Sequence, residues 1–398
     1  PPIGYDIVSF NELPGWVIDD PRAAVEPFLR SCEALLQRPD NSSANPVEYV
    51  GADQPYSFAG TVGDWRQPCV DALSLYRTGE MTMDGTRAFF EDHFVPVRMS
   101  QPVIDAASDP EMTPDGLFTG YFEPIYPASD VQTAEFSAPV LARPDDLITV
   151  DLGLFRPDLR GSRIAGRVEN GVLVPYDTHA EINREQPRTA VLAWMNPNDL
   201  LFMQIQGSGR LSLNGRDVSI GYAAPNGHPY TAIGRELVEM GVIPLEDISM
   251  QRIYDWLEKA PPGEAERVRE VNESYIFFRP MPQHLDPSLG PVGAQGVQLT
   301  AGRSLAVDRR YHALGAPMWI DLDPDDQHAY PLQRLVIAQD TGGAIRGPVR
   351  GDVFIGSGRE AGAEAGIMRR TGRIYVLLPR AVAERLEAVH AAPSDADA

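Results

Sequence analysis

The stretch Arg334–Gly358, RLVIAQDTGGAIRGPVRGDVFIGSG, sets two apolar runs on either side of a glycine-rich turn. The first run ends at Asp340, Gly342, Gly343, Gly347, Pro348 and Gly351 fill the connection, and Asp352 opens the second run. Short apolar runs bounded by Gly, Pro and Asp are strand signals. Both carboxylates therefore stand at strand ends, beside backbone that glycine tolerates best. Loops on a rigid sheet often carry chemistry there. Turn grammar alone allows the opposite reading, in which each Asp accepts hydrogen bonds from turn N–H groups.

The same texture extends in both directions. From Gly116 the chain offers short apolar runs at Leu117–Phe122, Val140–Ala142, Leu147–Val150, Val172–Pro175, Val191–Trp194 and Leu201–Gln206. It resumes with Ser274–Phe278, Trp319–Asp321, Leu335–Gln339, Val353–Ile355 and Ile374–Leu378. Such spacing predicts small barrels or sandwiches. Helical spacing marks Val25, Phe28, Leu29, Cys32, Leu35 and Leu36 after the start signal Asp20-Pro21. A second helix is expected after Asp64, a third around Phe89, Phe90 and Phe94, and two more through Tyr230–Met240 and after Ser249. The fold class is thus mainly β with helical decoration.

Length and composition bound the function. A chain of 398 residues suits two or three domains. The net charge of −22 argues against unspecific binding to nucleic acid or an anionic membrane surface. No apolar stretch approaches the ~18 residues of a membrane helix. The opening PPIGYDIV carries no basic or apolar leader, which fits a cytoplasmic protein or a mature chain. Cys32 and Cys69 lack metal-type spacing, and a disulfide and two buried thiols fit them equally. The seven histidines are scattered, and no phosphate loop or nucleophile elbow is present. No metal and no cofactor are expected.

A second cluster joins Gln204–Arg210, QIQGSGR, to Gly221–Tyr230, GYAAPNGHPY. It gathers the neutral donors and acceptors that fix a ligand in a cleft, although two ordinary hairpin turns explain it as well.

Taken together, GYFEP at Gly120–Pro124, QIQGSG at Gln204–Gly209, YAAPNGHPY at Tyr222–Tyr230, NESYIFF at Asn272–Phe278, AGRSLAVDR at Ala301–Arg309, DTGGAIRG at Asp340–Gly347 and GRIYVLL at Gly372–Leu378 resemble, in order, the membrane-bound lytic murein transglycosylase A family. The resemblance runs from about Gly116 to Pro379. It implies a double-psi β-barrel domain with a second, smaller β-barrel inserted and a glycan groove between them. The expected boundaries are residues 1–125 plus 283–390 for the helical segment and catalytic barrel, and 126–282 for the insert. Residues 391–398, acidic and Ala-rich, are expected to be a disordered tail.

The resemblance places the acid/base on Asp352 and a second site carboxylate on Asp340. Asp308 is the third aspartate for which the C-terminal part of the family is named. Some relatives have Thr where Glu123 stands here. Gln204, Gln206, Gly207, Ser208, Tyr222, Asn226, Gly342 and Gly343, with Glu123 and Asp308, are the expected glycan contacts. The implied reaction cleaves the β-1,4 bond after N-acetylmuramic acid and closes a 1,6-anhydro ring. Two alternatives are a muramidase with Glu123 or Asp340 as second carboxylate, and a peptidoglycan-binding module without turnover. The implied partner is the glycan strand. The implied location is the periplasm of a Gram-negative bacterium, with or without an outer-membrane lipid anchor.

Overall fold

The computed structural model describes residues 4–46, 57–103, 111–159, 163–185, 187–281, 285–325 and 327–391. The chain divides into two compact units, one of Pro1–Glu123 with Asp286–Ala398 and one of Pro124–Leu285.

The first unit is built on six strands: β1 (Gly116–Glu123), β2 (Ser304–Val307), β3 (Pro317–Leu322), β4 (Leu332–Asp340), β5 (Arg350–Ser357) and β6 (Arg369–Pro379). Their order is β6-β3-β4-β2-β5-β1, and β1 pairs back onto β6, so the sheet closes on itself. The β1–β5 and β2–β4 pairs are parallel and the others antiparallel. Closure removes the exposed edges that an open sheet would present. Near-continuous apolar runs such as Leu335–Ala338 suit strands buried on both faces. Leu305, Trp319, Val336, Ile337, Val353 and Leu377 fill the core.

Helices cover this barrel. Val25–Leu36 buries Val25, Phe28, Leu29, Cys32 and Leu35, the stripe its spacing predicts. Phe28 packs among Phe89, Phe90 and Phe94 with ring centroids 5.6–6.1 Å apart. A Cys32–Cys69 disulfide ties this helix to Val62–Thr78. Asp64 is the third residue of that second helix rather than its cap. Thr61 is the cap, and the Asp64 carboxylate reaches back to accept from the Thr61 N–H at 2.8 Å. Phe94 lies outside the helix Met83–His93 and begins the strand Phe94–Pro102.

The second unit carries a smaller sheet in the order Ile276–Pro280, Arg216–Pro225, Ser208–Leu213, Ile125–Ser129, Val191–Met195, Ala138–Leu141. A bridge from Ala142 to Phe278 joins its two edges, leaving a nearly closed barrel. The run Leu201–Gln206, expected as a strand, is the end of the helix Pro197–Gln206. Asn196 caps its start, Pro197 occupies the first turn, and Gly207 ends it in the left-handed region at φ 81°. These stop and start signals outweigh the apolar run. The tail expected beyond Ala391 lies outside the described residues.

Candidate active site

Residue spacing on β1 builds the site. Alternate residues of a strand share a face, so Thr119 and Tyr121 point the same way. Thr119 lies opposite Asp352 in the β1–β5 ladder, and Ala306 of β2 lies opposite Asp352 on its other side. Ala306 also pairs with Asp340 of β4. The ladder there skips Gln339, because Leu305 pairs with Ala338 and Ala306 with Asp340. Such a bulge re-aims side chains. Asp340 is thereby turned to the side that faces Ala306, and the two carboxylates flank one methyl group. Two ladder spacings place their strands roughly 10 Å apart.

The two aspartates have different environments. Thr119 Oγ1 donates to Asp352 Oδ1 at 2.6 Å and accepts from Arg350 Nη2 at 2.8 Å. Burial pushes the Asp352 carboxyl above the usual carboxylate range. Its hydrogen bond from Thr119 and the Arg350 charge oppose that shift, and the Asp340 charge reinforces it. Burial likewise lowers the Arg350 guanidinium. Asp340 instead receives three donors: Tyr121 hydroxyl at 2.8 Å, and the N–H groups of Ala294 and Thr341 at 2.9 Å each. That is the arrangement of an acceptor-only carboxylate. Tyr121 is driven well above its ordinary range, first by burial and then by Asp340.

Asp308 does different work. It is 1% exposed, and its carboxylate accepts two N–H bonds from the Arg310 side chain, one from the Arg310 backbone and one from Gly347 at 2.8 Å. Burial would raise this carboxyl, but those donors hold it below the ordinary range. Gly347 sits at φ 115°, where a side chain would be strained. The neighbouring Pro348 carbonyl accepts from His312 Nε2 at 2.8 Å, and burial lowers this histidine to about 4. Asp308 and His312 thus anchor the connection between Asp340 and Asp352. Gly342 is crowded by Ile345, whereas Gly343 is open. Glu123, 4% exposed, accepts from Ser357 Oγ at 2.7 Å.

In the second unit, Asn226 is wholly buried. Its amide donates to the carbonyls of Asp177 and Glu273 and accepts from the N–H groups of His228 and Tyr275. These bonds fasten a turn. Gln204 is enclosed in its helix with both amide atoms unpartnered among the described residues. Gln206 and Tyr222 are exposed, and Ser208 and Gly207 half-buried beside them in sequence. Gln206 accepts from Tyr126 at 3.3 Å.

Thr119, Tyr121 and Arg350 were not among the residues expected from sequence. Period-two reading of FTGYFE would have put Thr119 and Tyr121 on one face, but nothing in the string identifies their partners. Among the described residues, no three His, Cys, Asp or Glu side chains gather as a metal ion would need, and no helix is long and apolar enough to cross a membrane.

The family model of the MltA specific insert domain matches residues 117–279, and that of the 3D domain matches residues 303–378. Membrane-bound lytic murein transglycosylase A of Escherichia coli K12 is 32% identical over 269 residues, which span 65% of this chain and 65% of that protein. A crystal structure of MltA from Neisseria gonorrhoeae is 31% identical, with a TM-score of 0.75 over 95% of this chain and 93% of its own. E. coli MltA with bound chitohexaose is 25% identical, with a TM-score of 0.55 over 80% and 84%.

Proposed function

Because the chain belongs to the MltA family, we propose that it is a peptidoglycan lytic transglycosylase. In this reading it cleaves the β-1,4 bond between N-acetylmuramic acid and N-acetylglucosamine, with Asp352 as the single acid/base. The observation that carries this role is the half-buried Asp352 carboxyl, raised above the ordinary range while the Thr119 hydroxyl, itself held by Arg350, fixes one of its oxygens.

A carboxyl that keeps its proton can act as a general acid. Asp352 gives that proton to the glycosidic oxygen as the bond to C1 of the muramic residue breaks. The Asp340 carboxylate, across Ala306, stabilises the positive charge that develops at C1. Asp352, now ionised and still held by Thr119, takes the proton from the sugar's own C6 hydroxyl as O6 bonds to C1. A 1,6-anhydro ring closes, the proton balance returns to its starting point, and no water is consumed. Tyr121 and the N–H groups of Ala294 and Thr341 keep Asp340 in place through both steps.

Within the second unit, Gln206, Ser208 and Tyr222 are the glycan contacts that this reading proposes. Chitohexaose, the ligand in the E. coli structure, is a β-1,4 chain of N-acetylated sugars and supports a glycan substrate. The membrane-bound relative supports a location in the envelope of a Gram-negative bacterium. Turnover of purified sacculi tests the assignment. Asp352→Asn should abolish release of soluble fragments while leaving the melting curve cooperative, and wild-type release by that variant would overturn it.

A further inference from the structure

The bulge that turns Asp340 toward the site is held by a buried network outside it. Gln339, the residue the ladder skips, is fully buried, and its amide is saturated. Its nitrogen donates to the Pro27 carbonyl at 2.9 Å and to Ser31 Oγ at 2.8 Å, and its oxygen accepts from Ser304 Oγ at 2.6 Å. Ser31 Oγ passes its own hydrogen on to Gln295 Oε1 at 2.7 Å. Gln295 stands in the turn Gly293–Gly296, closed by a hydrogen bond from Gly296 N–H to the Gly293 carbonyl at 2.9 Å. In that turn Gln295 N–H donates to the Gln339 carbonyl at 3.1 Å, and the preceding Ala294 N–H donates to Asp340 Oδ1. The helix that supplies Ser31 is pinned one residue later by the Cys32–Cys69 disulfide.

A turn carries little packing of its own, so its orientation depends on what ties it down. Here the Gln295 side chain is the tie between a disulfide-braced helix and the N–H that meets Asp340. Gly293 shows how closely the turn sits: a Cβ there would lie 2.7 Å from the Gln339 carbonyl oxygen and 3.4 Å from Asp340 Cβ. We propose that Gln295 is a positioning residue for Asp340, acting through the Ala294 N–H. Gln295 itself touches neither the sugar nor the reacting atoms. The inference rests on the role given to Asp340 in the proposed function.

The test is a double-mutant cycle on the full chain with soluble glycan strands, using Gln295→Ala, Asp340→Asn and the pair. Gln295→Ala should lower kcat roughly tenfold with KM nearly unchanged, the size of one hydrogen bond to a charged group. In the Asp340→Asn background it should have no further effect. Amide exchange at Ala294 supplies a readout that needs no turnover, and protection there should fall in Gln295→Ala. Equal slowing in both backgrounds would mean a general structural effect and would overturn the inference. So would wild-type kcat and Ala294 protection in Gln295→Ala while Asp340→Asn is slow. If Asp340→Asn alone kept the wild-type rate, the role given to Asp340 would fail first and this inference with it.

Discussion

Thr119 and Asp352 face each other across adjacent parallel strands, and the threonine hydroxyl donates a 2.6 Å hydrogen bond to the aspartate. The Arg350 guanidinium occupies the hydroxyl's acceptor side, which fixes the direction of that donation. Thr119→Val keeps the shape and removes the donor. A bond to a charged group of this kind corresponds to roughly 10–100-fold in rate, and Thr119→Ser should recover most of the loss. Steady-state kinetics on glycan strands checks both substitutions.

The same contact sets a pH dependence. Proton donation needs neutral Asp352, whose carboxyl is raised first by burial and also by Asp340, against Thr119 and Arg350. Activity should therefore persist above the ordinary carboxyl range near ~3.9 and decline as pH rises through the raised value. Removing the Thr119 donor disfavours the charged form. The descending limb of Thr119→Val should move to higher pH.

Stability should respond in the opposite sense to activity at Asp352. A carboxyl whose folded pKa is raised binds its proton more tightly folded than unfolded. Its contribution is favourable at low pH, is lost as pH rises between the unfolded and folded values, and is a net cost above both. Asp352→Asn removes a charge that folding must bury, so at neutral pH the inactive variant should melt higher than the wild type. Melting curves at pH 4 and pH 7.5 should show the gain at the higher pH.

Ala306 is the floor between the two carboxylates. Ala306→Leu would fill that gap. Overpacking costs about 1–3 kcal/mol, which a melting curve will register. Turnover should fall much further than the folded fraction, whereas Ala306→Ser should remain active.

These elements differ in how far the sequence reveals them. Asp340 and Asp352 are legible because an apolar run, a glycine turn and a second run leave each of them at a strand end. Gln204 is not, since LLFMQIQ fits a strand and a helix alike, and only the Asn196-Pro197 start and the Gly207 stop decide for the helix. The helix Gly358–Ile367, GREAGAEAGI, has almost no apolar stripe to read. Asp308 and Asn226 stand among glycines as sugar-binding residues do, but their polar atoms are consumed by turn N–H and C=O groups. Which way a polar side chain points is a tertiary fact. The bulge at Gln339 shows this most clearly, because one extra residue decides the face on which Asp340 emerges.

The disulfide gives a prediction independent of the reaction. Cys32 and Cys69 are separated by 37 residues, and closing a loop of that length is worth about 4 kcal/mol in the chain-entropy model. Cys32→Ser with Cys69→Ser should lower the denaturant midpoint accordingly. Non-reduced, alkylated wild-type protein should carry no labelled thiol by intact mass.

The chemistry itself is tested most directly by digesting sacculi in water enriched in heavy oxygen and weighing the released muropeptides. An intramolecular C6 hydroxyl held at the reacting carbon has an effective molarity of roughly 10⁵ M or more when geometry is good, so it should outcompete water. The muramic ends should then be one water lighter than a hydrolysis product, non-reducing and free of label. Reducing muramic ends carrying the heavy oxygen as the main product would contradict the single acid/base account and identify a hydrolase.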